Sequence, residues 1–124
     1  MREIKFRGYN GEKWLFGSLE IDYKAEHACI SDNRFWRHPV RFNSVGQFTG
    51  IKDISSAEIY EGDIVTFKDD ETDEYVRGAV VQSVEGTWWV ECAKFRVPIW
   101  NVRKTALILS NIHDVPELLE GEDA

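Results

Sequence analysis

The only histidine and cysteine that stand close together in the sequence are His27 and Cys29. A zinc site needs three or four such ligands. Cys92, His38 and His113 would have to join this pair through the fold, because none of them has a metal-ligand spacing to it. The pattern therefore favours two partly buried strand residues over a metal site, and we predict that the protein binds no metal and no cofactor.

A second candidate for chemistry is the pair of carboxylates Glu61 and Asp63, which flank Gly62. Paired carboxylates can bind a cation or act in acid–base catalysis. An Asp side chain can equally bond to the backbone amides of a turn, and glycine supplies the unusual backbone angle of a turn. The turn interpretation is favoured. The sequence also lacks a G-x-S-x-G motif and a P-loop, so we expect no enzyme activity.

A third candidate is the segment 34–41, in which basic residues alternate with aromatic ones. Proteins that bind single-stranded nucleic acids combine positive charge with rings on which bases stack. The favoured interpretation is nevertheless an edge segment with packed rings and solvated arginines, because Pro39 cannot belong to a central strand. The candidate binding residues of this segment are Arg34, Phe35, Trp36, Arg37 and Arg41.

The formal charge of −7 is unevenly distributed along the chain. Nine of the 22 acidic residues lie in the run 69–74 and at the C-terminus. The rest of the chain therefore has 13 acidic residues and 15 Lys and Arg. An acidic total opposes non-specific DNA binding, but a local basic surface remains possible. We interpret residues 69–74 as a solvated loop; mimicry of nucleic-acid phosphates is the alternative.

The elements that must position these residues are predicted to be strands. Aromatic residues make up 13% of the chain, which favours β-structure. The clearest hairpin joins residues 75–84 to residues 87–93 through a two-residue turn at Glu85 and Gly86. Within its second arm, Trp88 and Trp89 must face opposite sides of the sheet. One of them belongs to the core, and the other, which we take to be Trp89, needs a cover or a partner.

The remaining pattern predicts a single all-β domain over residues 1–124, a small barrel or pseudo-barrel of short antiparallel strands. Gly17 interrupts the second strand and marks a bulge or a close backbone approach. A short helix is expected after Asp114, which can cap it, with Pro116 in its first turn.

The sequence also bears on the compartment. It contains no apolar run of the roughly 20 residues that a membrane span requires. The first seven residues are charged and alternating, unlike a signal peptide. We therefore expect a cytoplasmic protein whose two cysteines, Cys29 and Cys92, are free thiols.

Four segments, in this order along the chain, carry a family resemblance. They read MREIKFR (1–7), VGQFTGIKD (45–53), EIYEGDIV (58–65) and NIHDVPELL (111–119). With them the chain resembles the YopX family of phage and prophage proteins. The residues that belong to these motifs include Phe6, Gly46, Gln47, Thr49, Gly50, Tyr60, Gly62 and Asp63.

The chain departs from the family pattern at three places. Ser55–Ala57 stands where the family has a Gly-Lys turn, Ser110 replaces a glycine, and His113 replaces a tyrosine. The resemblance implies a mostly β fold and a phage or prophage origin, but no catalytic residues.

From these features we expect a non-enzymatic interaction module that binds a protein or a second copy of itself. A small nucleic-acid-binding barrel that uses residues 34–41 is the alternative.

Overall fold

The computed structural model describes residues 3–32 and 36–113, and these residues form an all-β fold, as the sequence predicts. The strands are β1 Phe6–Tyr9, β2 Trp14–Asp22, β3 His27–Ser31, β4 Arg37–Val40, β5 Gly46–Lys52, β6 Glu58–Tyr60, β7 Asp63–Lys68, β8 Tyr75–Gln82, β9 Trp88–Glu91, β10 Arg96–Pro98 and β11 Leu107–Asn111. They make two antiparallel sheets with the orders β4-β3-β2-β1-β5-β6 and β10-β9-β8-β7-β11.

The antiparallel strands of the predicted barrel or pseudo-barrel are confirmed, but no closed barrel exists among the described residues. A short helix, α1, spans Ile99–Val102, and a single 3₁₀ turn covers Phe42–Ser44. The helix predicted after Asp114 lies outside the described residues. Within residues 3–32 and 36–113, no helix is long and apolar enough to cross a membrane.

The chain groups into two compact units, Met1–Gly50 and Ile51–Ala124, which are described separately; a single domain stays a prediction. In the first unit, β2 alternates between half-buried and exposed residues, as a half-buried strand should. Gly17 marks a close backbone approach, because a Cβ atom there would lie 2.0 Å from the Ser31 carbonyl oxygen. Of the two interpretations of this glycine, close approach is therefore the one that the structure supports.

The second unit contains the larger apolar core. Its buried members come from four strands, α1 and the segment that follows α1: Ile59, Val65, Phe67, Val80, Trp88, Val90, Ile99, Val102 and Ala106. The predicted hairpin is confirmed as β8 and β9, with Val81 opposite Trp89. Its turn is longer than predicted, because Ser83 N–H donates to the Thr87 carbonyl and Gly86 N–H donates to the Ser83 carbonyl.

Asp53 ties the loop before β6 to the free edge of β11. Its Oδ2 accepts the N–H of Ile108 at 3.0 Å, and its Oδ1 accepts the N–H and the hydroxyl of Ser55 and the N–H of Ala57. Burial alone would raise the pKa of Asp53, but these hydrogen bonds outweigh it and hold the pKa below its ordinary value. The carboxylate is therefore a structural clamp that also covers an edge strand.

Replacing Trp88 by alanine should lower the free energy of unfolding by about 3–5 kcal/mol, because its side chain is buried in the core. Trp89→Ala, one position along the same strand, should cost clearly less because its side chain is only half-buried. Urea unfolding of the two variants beside the wild type measures both values. Equal losses would contradict the assignment of the two faces.

Asp53→Asn should lower the free energy of unfolding by about 1–3 kcal/mol at neutral pH. The pKa of Asp53 is lower in the folded than in the unfolded protein. The charged carboxylate therefore contributes its full stabilisation above the unfolded pKa of about 3.9, and this stabilisation is lost as the pH falls through the folded pKa. The difference between wild type and variant should therefore shrink in acid.

Unfolding curves taken from neutral to acid pH test this clamp. Asp70→Asn, at an exposed position, is the matched control and should change stability by less than about 0.5 kcal/mol. A difference between wild type and Asp53→Asn that stays constant with pH would contradict a role of the charged carboxylate.

Candidate binding surfaces

The described part of the basic and aromatic segment 34–41 is an edge strand, as Pro39 indicates. Arg34 and Phe35 lie outside the described residues. Trp36 is 69% exposed. Arg37 is also exposed, but its guanidinium is 2.7 Å from the Glu20 carboxylate, and this hydrogen bond raises the pKa of Arg37. Part of the positive charge predicted for this segment is therefore neutralised within the first unit.

Arg41 is also engaged within the first unit, although its side chain is exposed. Its guanidinium lies 5.2 Å from the centre of the Tyr9 ring, and the Tyr9 ring is 5.3 Å from Trp14. Arg7 in turn lies 4.5 Å from the centre of Trp14. These arginines stack on the rings of their own unit, as cation–π pairs do.

The remaining candidate of the sequence analysis, Trp89, is covered in part by its own sheet. It is half-buried on the face opposite Trp88, and Arg96 of the neighbouring strand lies 4.2 Å from the centre of its ring. The expectation that this second face needs a cover is met by Arg96, a residue that the sequence pattern did not connect with Trp89.

The motif residues that carry the family resemblance act in the framework. Gly62 adopts a φ of +91° in the turn between β6 and β7, and the Oδ2 of the buried Asp63 accepts the N–H of Tyr60 at 2.8 Å. These contacts support the turn interpretation of Glu61 and Asp63. Phe6, Gly46, Gln47, Thr49 and Gly50 belong to the paired strands β1 and β5 or to their continuation.

The residues weighed as metal ligands come from different elements: His27 and Cys29 lie in β3, whereas Cys92 follows β9 and His113 follows β11. His27 and Cys29 lie in a shallow hollow of about 480 Å³ beside Glu20, Asp22 and Arg37. No group of three His, Cys, Asp or Glu side chains within the described ranges is arranged to bind a metal ion. Cys29 and Cys92 are free thiols, as the sequence predicts.

The second unit contains a surface that the sequence analysis did not single out. Two adjoining hollows, of about 600 and 340 Å³, share Lys68, Asp70, Asn101 and Val102. We call the two together the cleft; residues 67–71, 95–97 and 100–105 line it. The end of β7, the acidic loop, β10 and α1 therefore all contribute to one concave surface.

Hydrogen bonds hold the two walls of the cleft in place. On one side, Asp69 closes the acidic loop: its N–H donates to the Glu74 carbonyl, its carbonyl accepts the Asp73 N–H, and its side chain accepts the N–H of Glu71. On the other side, Thr105 joins the walls, because its Oγ1 accepts the N–H of Lys68 at 3.0 Å. The acidic loop is exposed, as predicted, and it has a defined shape.

The rim of the cleft exposes large aromatic rings. Trp100 is 56% exposed and Phe95 is 41% exposed. Ile99 and Val102 of α1 point into the core, and residues three apart share one helix face, so Trp100 and Asn101 lie on the opposite face. An exposed tryptophan beside a concave surface is typical of interaction sites.

Charges of both signs line the cleft. Lys68 pairs with Asp73 at 3.0 Å, and Arg96 stacks on Trp89. Two further cations, Arg103 and Lys104, line the smaller hollow. Within residues 3–32 and 36–113, the carboxylates of Asp70 and Glu71 have no ion-pair partner. The larger hollow therefore presents two carboxylates whose charge is not compensated locally.

Comparison with known proteins identifies the family of this chain. A search of curated proteins found no match. The sequence model of the YopX protein family matches residues 5–120, nearly the whole chain, including the strands and turns formed by the motif residues. The protein therefore belongs to the YopX family.

Proposed function

We propose that this protein is a non-enzymatic accessory protein of phage or prophage origin that binds another protein through the cleft of its second unit. It would act in the cytoplasm of the bacterial host. The observation that carries the proposal is the exposed Trp100 on the rim of a concave surface lined by charges of both signs. Aromatic side chains in such positions are enriched among the residues that dominate binding energy at protein interfaces.

The charge of the second unit also favours a protein over a nucleic acid at this surface. Residues 51–124 contain 16 acidic and 7 basic residues, whereas residues 1–50 contain 6 acidic and 8 basic ones. Phosphate backbones are repelled by acidic surfaces, and one wall of the cleft carries Asp69, Asp70 and Glu71, although four basic residues also line it: Lys68, Arg96, Arg103 and Lys104. A protein partner, a second copy of this chain included, can match both signs of charge.

Affinity capture from the host lysate, with variants compared side by side, tests the proposal. Trp100→Ala should remove a protein that the wild type retains, and the purified partner should bind this variant at least tenfold more weakly, which is about 1.4 kcal/mol. Trp36→Ala removes a tryptophan of the first unit that is even more exposed than Trp100, and it serves as the control. A partner that is lost with Trp36→Ala and kept with Trp100→Ala would contradict the proposal.

A second candidate function rests on Trp36, which is exposed beside Arg37 on the edge strand of the first unit, a unit with more basic than acidic residues. Here a single-stranded nucleic acid would stack on the ring and contact the arginines.

For this candidate, Trp36→Ala combined with Arg37→Ala should weaken the binding of a single-stranded oligonucleotide by about tenfold, and binding should weaken further as salt is added. Fluorescence anisotropy measures both effects. Unchanged binding of the double variant, or no binding of the wild type at low salt, would exclude this candidate. Trp100→Ala is the matched control and should leave oligonucleotide binding unchanged.

A further inference from the structure

The larger hollow of the cleft combines an apolar floor with an acidic wall. Phe67 and Val102 are buried at its floor, Val97 is half-buried beside them, and Phe95 stands exposed at its edge. A hollow of about 600 Å³ with this lining has the size and character of a site that takes a few side chains of a partner.

The acidic residues of this hollow include side chains without an ion pair in the described part of the chain, whereas both of its basic residues are engaged by a neighbouring side chain. Asp69 is occupied by the hydrogen bonds that close its own loop. The two cations that line the hollow, Lys68 and Arg96, are engaged by Asp73 and by the Trp89 ring. Asp70 and Glu71 are exposed on the same wall and have no ion pair within the described ranges. Charge complementarity therefore favours a cationic group in the hollow.

We propose that the occupant of this hollow is a peptide segment of a partner protein that presents a lysine or arginine next to an apolar side chain. This inference rests on the proposed function and names the chemistry of its partner. The apolar side chain packs on Phe95 and on the floor formed by Val97 and Val102, while the cationic group reaches Asp70 and Glu71. A lysine or arginine stem is itself apolar, so it can follow the aromatic edge before its charge meets the carboxylates.

Selection from a library of random displayed peptides on the full chain tests this inference. The peptides that the wild type enriches, and that Trp100→Ala does not retain, should carry a lysine or arginine beside an apolar residue. Their binding, measured by fluorescence anisotropy, should weaken as the salt concentration rises, because exposed charge pairs are screened.

The double variant Asp70→Asn/Glu71→Gln should bind the selected peptides about fivefold more weakly, in keeping with two partly exposed charge contacts. The control variant Glu12→Gln/Glu85→Gln removes the same amount of charge from exposed loop positions outside the cleft and should bind as the wild type does. Thermal unfolding checks that all variants are folded.

The outcomes separate the two claims. Trp100-dependent peptides that are acidic or uncharged, or that bind the double variant as tightly as the wild type, would overturn the inference and leave the proposed function in place. The absence of any Trp100-dependent peptide would overturn the cleft as a binding site and the inference with it.

Discussion

The inward packing of Ile99 and Val102 determines the surface of the second unit. Both side chains are buried in the core next to Trp88, and the helix that contains them is only four residues long. A helix with residues i and i+3 in the core must turn the two residues between them outward. Trp100 is therefore exposed as a direct consequence of how the core is filled, and β10 and the residues after α1 are held beside the acidic loop. The cleft is a product of that packing.

The segment after α1 also fixes the position of the acidic loop. Thr105, just after α1, accepts a hydrogen bond from the last residue of β7, and the loop begins at the next position. Asp69 then closes the loop on itself through its backbone and side chain. Its neighbours Asp70 and Glu71 stay exposed on the wall of the cleft. The sequence predicts a solvated loop of like charges, and the structure shows that this loop also has a defined position relative to the aromatic rim of the cleft.

Cation–π stacking engages several arginines within their own unit. Arg7, Arg41 and Arg96 each lie within 5.2 Å of the centre of a ring that belongs to their own unit. Such pairs stabilise by roughly 0.5–2 kcal/mol, depending on their burial. Arg41, one of the basic residues of segment 34–41, is therefore used in part to cover an aromatic ring of its own unit.

The sequence predicted those features that depend on neighbouring residues. Strand alternation, the β8–β9 hairpin, the opposite faces of Trp88 and Trp89, and the turn at Gly62 follow from period-two patterning and turn chemistry. The family motifs predicted the framework, because they lie in paired strands and their turns.

The cleft could not be predicted, because its walls are more than 20 residues apart in the sequence and meet only through the core. Segment 94–104 has four basic residues, two exposed aromatic rings and no acidic residue. This composition is the signal in the sequence that could have indicated a binding surface there. It resembles segment 34–41 in composition, but the sequence does not show that segment 94–104 joins the acidic loop in one cleft, because that depends on how α1 packs on the core.

The most direct test of the cleft as the binding site follows the five tryptophan indole N–H resonances while a selected peptide is added to the labelled protein. Trp100 stands on the rim of the cleft, Trp36 lies in the other unit and Trp88 is buried in the core, so the indoles report separate places. The account predicts that the Trp100 resonance shifts until the peptide saturates the protein, while the Trp36 resonance keeps its position. A saturable shift of Trp36 with an unmoved Trp100 would contradict the account.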